Sequence, residues 1–284
     1  MLATLEEQQM GEIADLLEGY QQDPVGFEIN CLDVKPEHFW PKMVEVAESV
    51  RDNQFTAVPA GHDVSKTYGA GRIAVWFKTC FQPSTVITTA PSDNQVRNQL
   101  WREIHAAIAG AKVPLGSAPT ALMWDLKPQK DVLRRLPPEE RGLWEKNFAI
   151  GFSTSPDQIT EHATKMQGWH NQWLLVILDE ACGILPQIWR TVMESLIVNE
   201  RCKVLAIGNL TDPLSEFGRI CENPADNPEW NVIKISVKDT PNYIQGKEVV
   251  PGVAGRDYEQ RMRKYGVNSN TYKIWVLGEA PDYR

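Results

Sequence analysis

The chain contains no apolar run that approaches the ~20 residues needed to cross a bilayer. Its opening stretch, Met1 to Tyr20, is charged and helical in pattern, so no secretory leader is expected there. Cysteine is scarce: five residues, at 31, 80, 182, 202 and 221, with no CxxC pair and no metal-ligand spacing. That excludes a disulfide framework and a zinc site, and suggests reduced, mostly buried thiols. Positive charge is in deficit, with Lys and Arg totalling 29 against 37 Asp and Glu and a net charge of −8. A broad basic nucleic-acid face is therefore excluded, although a local basic patch lining a ring channel is compatible with it. Arginine is missing between Arg51 and Arg72 and again between Arg141 and Arg190. No internal repeat and no low-complexity tract is present.

What remains is the composition of a folded domain, 42% apolar and 23% charged over 284 residues, enough for one large core with a smaller lid. The most informative segment is Leu174-Leu175-Val176-Ile177-Leu178-Asp179-Glu180. Five successive apolar residues predict a strand buried on both faces, and two carboxylates follow at its carboxyl end. In an open α/β sheet that edge is where ligands bind. One carboxylate suits a Mg²⁺-bound water and the next an attacking water, the Walker B pattern of a nucleotide hydrolase.

About a hundred residues upstream stands Ala60-Gly61-His62-Asp63-Val64-Ser65-Lys66-Thr67. It matches the phosphate-loop pattern G-x-x-x-x-G-K-[ST] at Lys66 and Thr67, while Ala60 and Ser65 replace its two glycines. Phe55 to Val58 predicts the preceding strand and Tyr68 to Cys80 the following helix. A helix N-terminus with converging amides is an anion site. Lys66 is placed to reach the β- and γ-phosphates and Thr67 to ligate Mg²⁺. Gly61, His62, Asp63, Val64 and Ser65 complete the loop as ATP-binding candidates.

Further strands are expected at Ser84 to Thr89, at 147–153, at Cys202 to Ile207 and near 231. A helix capped by Ser92 or Asp93 carries Leu100-Trp101-Arg102-Glu103-Ile104. The stretch 112–146 is Pro-rich, with Thr120 to Leu126 a possible hairpin strand and Pro137-Pro138-Glu139-Glu140 a helix start. Residues 155–170 read as a polar loop with a short helix, and a helix spans about Pro186 to Asn199. Residues 240–284 are turn-rich, with a helix near Asp257 to Tyr265. The fold expected is α/β, a mainly parallel sheet flanked by helices, with residues 1–50 an N-terminal helical lid or arm and residues 51–284 the P-loop ATPase core. Asn209, after the strand at 202, sits where a polar side chain can lie between γ-phosphate and Glu180. It also suits a simple turn.

Taken together these motifs resemble the ATPase domain of tailed-phage terminase large subunits. The loop Gly61-His62-Asp63-Val64-Ser65-Lys66-Thr67 is similar to that group's Gly-His-Gly-Val-Gly-Lys-[Ser/Thr]. The run from Ala90-Pro91-Ser92 to Glu103-Ile104, Gln167-Gly168-Trp169-His170, Asp179-Glu180-Ala181-Cys182-Gly183-Ile184, Gly208-Asn209-Leu210-Thr211-Asp212-Pro213 and the Val276 to Asp282 junction follow in the same order. The resemblance implies a RecA-like (ASCE) P-loop NTPase that hydrolyses ATP with Mg²⁺ and drives double-stranded DNA into a procapsid. Lys66, Thr67 and Asp179 would hold phosphates and Mg²⁺, Glu180 would activate water, and Asn209 would couple phosphate loss to movement.

The family's loop arginine is absent here, so a neighbouring subunit is expected to supply the transition-state cation, with Arg102 the first candidate and Lys165 the second. The family's adenine-reading glutamine is also absent. Trp40 or Phe39 is the expected stacking partner for the base. The implied partners are viral DNA, the portal and procapsid, the small terminase subunit and further copies in a ring. The isolated domain is expected to be monomeric, and the setting is the host cytoplasm. The nuclease domain that follows the motor in this family is not expected in this chain. Two alternatives stay open: another P-loop translocase or helicase, and a degenerate P-loop assembly module that binds nucleotide weakly.

Overall fold

The computed structural model describes residues 12–13, 15–154, 166 and 168–282. Seven strands form one sheet: β1 Phe55–Pro59, β2 Ser84–Ala90, β3 Met123–Asp125, β4 Phe148–Ser153, β5 Trp173–Asp179, β6 Cys202–Gly208 and β7 Trp230–Val232. Their spatial order is β3-β4-β2-β5-β6-β1-β7, parallel throughout except for the β3–β4 pair. This is the α/β architecture expected from the apolar runs, since parallel strands covered on both faces need no polar alternation.

β5 illustrates the rule. Leu175 and Ile177 belong to a core on one face, and Leu174, Val176 and Leu178 to a second core on the other. All five are fully buried. The first core is closed by helices α1 (Pro24–Cys31), α2 (Pro41–Asp52), α3 (Lys66–Cys80) and α4 (Arg102–Ala109). The second is closed by α5 (Pro186–Thr191) and α6 (Glu216–Glu222). Phe27, Leu32, Val46 and Val50, from the segment before residue 51, pack in the same core as the sheet.

The register brings three loops to one edge. Pro59 of β1 lies beside Gly208 of β6, and Ile207 of β6 lies beside Asp179 of β5. Because β6 runs between β1 and β5, the residues that follow it stand between the phosphate loop and the acidic pair.

Local differences from the sequence expectation have local causes. The hairpin expected over Thr120 to Leu126 pairs only through Met123–Asp125, antiparallel to β4, with one further bridge between Thr120 and Met123. The helix expected over Pro186 to Asn199 is α-helical only to Thr191 and then widens into a π turn, Val192–Leu196. Of the two candidate caps, Ser92 takes the role: its hydroxyl accepts the Gln95 amide and the Gln95 side chain accepts the Ser92 amide, a reciprocal capping box. Most of the loop expected at 155–170, including Lys165, lies outside the described residues. No helix among the described residues is long and apolar enough to cross a membrane.

Candidate active site

The phosphate loop is anchored from three sides. The Ala60 amide donates to Gly208 O (2.9 Å), Gly61 to Ile235 O (2.8 Å) and His62 to Trp275 O (2.9 Å). Gly61 is required there, because a Cβ would stand 3.0 Å from Val276 O and 3.1 Å from Trp275 O. From Asp63 to Thr67 the backbone amides donate to no acceptor among the described residues, which leaves consecutive N–H groups for an anion at the N-terminus of α3. Asp63 (φ 47°) and Ser65 (φ 65°) both take left-handed backbone. These are the two positions where side chains replace loop glycines, so the glycine-type loop shape is kept at a local cost of about 1–2 kcal/mol per residue. Val64 is fully buried and contributes only its backbone.

His62 stacks on Tyr258 at 5.5 Å, meets Trp275 edge-on at 5.7 Å and places Nε2 3.0 Å from Asp63 Oδ2. That pairing holds the Asp63 carboxyl below its ordinary pKa, so the loop carries a negative charge of its own.

Lys66 leads α3 into a cleft of about 820 Å³ that is also lined by Ser65, Thr67, Glu180, Asn209 and Arg102. Its Nζ lies 3.3 Å from Asn209 Oδ1 and 3.8 Å from Glu180 Oε1. Asn209 in turn donates to Ala60 O at 2.7 Å. The residue that the sequence left between two roles is therefore a bridge: it joins the loop lysine to the backbone at the loop's entry. Glu180 adopts left-handed backbone, φ 49° and ψ 48°, just past the end of β5. A Cβ at Gly208 would approach Ala181 N at 3.0 Å and the Glu180 backbone at 3.4 Å, so the bare end of β6 makes room for that turn.

Asp179 is fully buried. Its Oδ1 accepts the Glu180 amide at 2.9 Å, and its Oδ2 has no hydrogen-bond partner. Burial first, then the neighbouring Glu180 charge, pushes its pKa up to about 7, against the pull of Lys66, the Glu180 amide and the adjoining Thr67 hydroxyl. A buried, unmatched carboxylate oxygen next to a threonine hydroxyl and open phosphate-loop amides fits a hydrated Mg²⁺, which takes few protein ligands and completes its shell with water and phosphate. No cluster of three or more acidic, His or Cys ligands occurs among the described residues, consistent with that mode of binding.

Arg102 stands at the cleft rim, its side chain 72% exposed and 3.4 Å from Glu103 Oε1. Trp40 is a correction. It lies outside the cleft lining and is 6% exposed in the core. It occupies the cap position of α2, with extended backbone before Pro41, and that turns its indole inward. Phe39 is half-buried beside a separate apolar crevice. Sequence reasoning missed Trp275, Tyr68 and Gln99 as cleft residues. Nothing local marks Trp275, whose backbone reaches the loop only through tertiary packing.

No protein-family model and no curated protein matches the chain. Solved structures do. The large terminase of a thermophilic bacteriophage superposes with a TM-score of 0.55 at 12% identity, over 84% of this chain and 53% of that one. The same terminase solved in complex with ATP-gamma-S gives 0.54 at 11% identity, over 84% and 52%. An ATPase-domain mutant of the large terminase of a Thermus phage gives 0.50 at 14% identity, over 89% of this chain and 97% of that domain. The chain thus spans about half the length of the first of these proteins. At such identities the likeness is one of fold, and the fold of this chain is that of the ATPase domain of phage large terminases.

Proposed function

We propose that the chain is a Mg²⁺-dependent ATPase and the motor domain of a DNA-packaging terminase, acting on double-stranded viral DNA at a procapsid portal in the host cytoplasm. The observation that carries the catalytic part is the Lys66–Asn209–Glu180 arrangement, with buried Asp179 beside it, at the shared carboxyl edge of β1, β6 and β5. The open amides of the loop and Lys66 bind the β- and γ-phosphates. Thr67 and Asp179 would hold Mg²⁺, which supplies charge neutralisation on the phosphates. Glu180, partly exposed to the cleft, orients water for in-line attack at the γ-phosphorus and takes up its proton. Asn209 touches both the loop lysine and Ala60 O, so loss of the γ-phosphate alters a contact that reaches β6 and the loop together. The packaging role rests on the likeness to terminase ATPase domains and on the order of the motifs along the chain.

A second reading, a P-loop module that binds nucleotide weakly, is favoured by one feature: Asp63 puts an ionised carboxylate on the phosphate loop. ATP affinity and turnover, with and without linear double-stranded DNA, separate the two. Under the motor reading Glu180→Gln keeps ATP affinity and loses turnover by at least about a hundredfold, while Lys66→Ala loses both. Turnover by Glu180→Gln near the parent rate would falsify the assignment of Glu180. A parent that binds ATP without turning it over favours the weak module.

A further inference from the structure

Beside the phosphate-binding cleft, a narrow apolar crevice runs between α2, α3 and the edge of the sheet, walled by Met43, Ala47, Val58, Ile73 and Leu205. Lys66, Tyr68 and His38 line both cavities, so the crevice is continuous with the phosphate site. Glu28 of α1 also lines it. Its side chain is one of the few buried acids in the chain, 8% exposed, and it makes no hydrogen bond among the described residues. The charge acting on it is Arg72, whose guanidinium is already bound to Glu103 at 2.8 Å.

Two more unmatched groups stand at the mouth. Tyr68 stacks with His38 at 4.5 Å and carries the Arg72 guanidinium 3.4 Å from its ring centroid. His38 Nδ1 and Arg72 Nε are buried without hydrogen-bond partners. Buried polar atoms are normally satisfied, so three unmatched groups around one crevice point to a ligand that matches them. An apolar, aromatic-rimmed slot suits a flat heteroaromatic ring.

The donor set narrows the ring. Burial pushes Glu28 up to about 8, so near neutral pH it is a carboxylic acid, with an O–H donor and a carbonyl acceptor side by side. Adenine presents the complement, an amino donor beside a ring-nitrogen acceptor, the same edge that amide side chains read in a bidentate manner. Guanine in the same pose sets a carbonyl oxygen where adenine has its amino group, and two acceptors then face each other.

We propose that this crevice is the nucleobase site and that Glu28 reads adenine there, through the 6-amino group and the adjoining ring nitrogen, with His38 and Tyr68 packing against the base. The proposal rests on the phosphate-loop reading above. It moves base recognition away from Trp40 to a residue on α1.

Calorimetric titration tests it on the parent, Glu28→Gln and Glu28→Leu chains. The probes are ATP, GTP, ATP doubly methylated on the 6-amino nitrogen, and inorganic tripolyphosphate. The parent is expected to bind ATP about tenfold more tightly than GTP or the methylated ATP, the factor that corresponds to one well-placed hydrogen bond. Glu28→Gln keeps that preference, because an amide presents the same donor and acceptor. Glu28→Leu brings ATP to the level of GTP, while tripolyphosphate binds all three chains equally. Equal binding of ATP and methylated ATP by the unmodified parent overturns the assignment without recourse to any variant. So does an undiminished ATP preference in a folded Glu28→Leu chain. If tripolyphosphate binds and the bases are not distinguished, the Glu28 proposal alone falls. If neither ATP nor tripolyphosphate binds, the phosphate-loop reading falls with it.

Discussion

Asp63 and Ser65 show how one residue can retain a loop's shape and change its energetics. Both hold left-handed backbone without being glycine. Aspartate tolerates that conformation better than serine, because its short polar side chain can bond locally, here to His62. The larger effect at Asp63 is charge, since its carboxylate stays ionised beside the polyphosphate site. Asp63→Asn keeps the shape and removes the charge. It is expected to tighten ATP binding about threefold at low salt, with the gain shrinking as ionic strength screens it. Ser65→Gly relieves backbone strain but gains unfolded-chain entropy, two terms of about 1 kcal/mol each that nearly cancel in stability. Its signature should be in ATP affinity, through closer approach of backbone to phosphate. Weaker binding by the glycine variant, at unchanged thermal stability, would instead assign the serine hydroxyl a direct phosphate contact.

Strand ends, more than strands, set the chemistry at the level of elements. β6 lies between β1 and β5, and its last residue faces the turn that carries Glu180. Gly208→Ala pushes a Cβ against the Glu180 backbone and the Ala181 amide. Because backbone cannot swing aside like a side-chain tip, the glutamate should shift by a few tenths of an ångström. Turnover is then expected to fall about tenfold or more while ATP affinity stays within about twofold, since displacement of a water-orienting group acts on the transition state and not on ground-state phosphate binding. An equal loss in both quantities, measured by titration and steady-state kinetics, would mean that the loop itself had moved.

At the scale of the whole molecule, buried charge and assembly each lead to an expectation. Glu28 and Asp179 titrate near 8 and 7 in the folded chain, above their usual values of 4.5 and 3.8. The folded state therefore binds more protons than the unfolded state, and stability falls as pH rises from about 5 to 7. Lys78 acts oppositely. It is fully buried against Asn147, and burial lowers its pKa from 10.5 to about 7, so the unfolded chain holds the extra proton above pH 7 and stability rises there. The nucleotide-free chain should show a melting temperature that declines from pH 5 to 7 and then levels. Asp179→Asn should flatten part of the decline, and a slope unchanged by that substitution would remove Asp179 as its source. Assembly enters through Arg102, which is exposed at the cleft rim. With no arginine in the loop, turnover per subunit should rise with protein concentration, or when a portal orders the ring. Arg102→Ala subunits mixed with parent should depress the rate more than in proportion. A rate independent of concentration, with additive mixing, would show that each subunit is self-sufficient.

The chain's own order of residues determined the parts whose signals are local. Five apolar residues ending in Asp179-Glu180 specify a strand buried on both faces with an acidic end, because no polar alternation remains to face water. Lys66-Thr67 after a short strand specify a helix start that gathers amides, and Ser92 with Gln95 specifies a cap. Only the tertiary structure decided what depends on distance between segments. Asn209 gained its role from β6 lying between β1 and β5. Trp40 lost the role expected of it because the cap position before Pro41 turns the ring into the core. Glu28, Arg72 and His38 acquired their meaning only as groups buried without partners. Burial and hydrogen-bond matching are properties of the packed chain, and nothing in the spacing of those residues along it encodes which polar atoms the fold leaves unmatched.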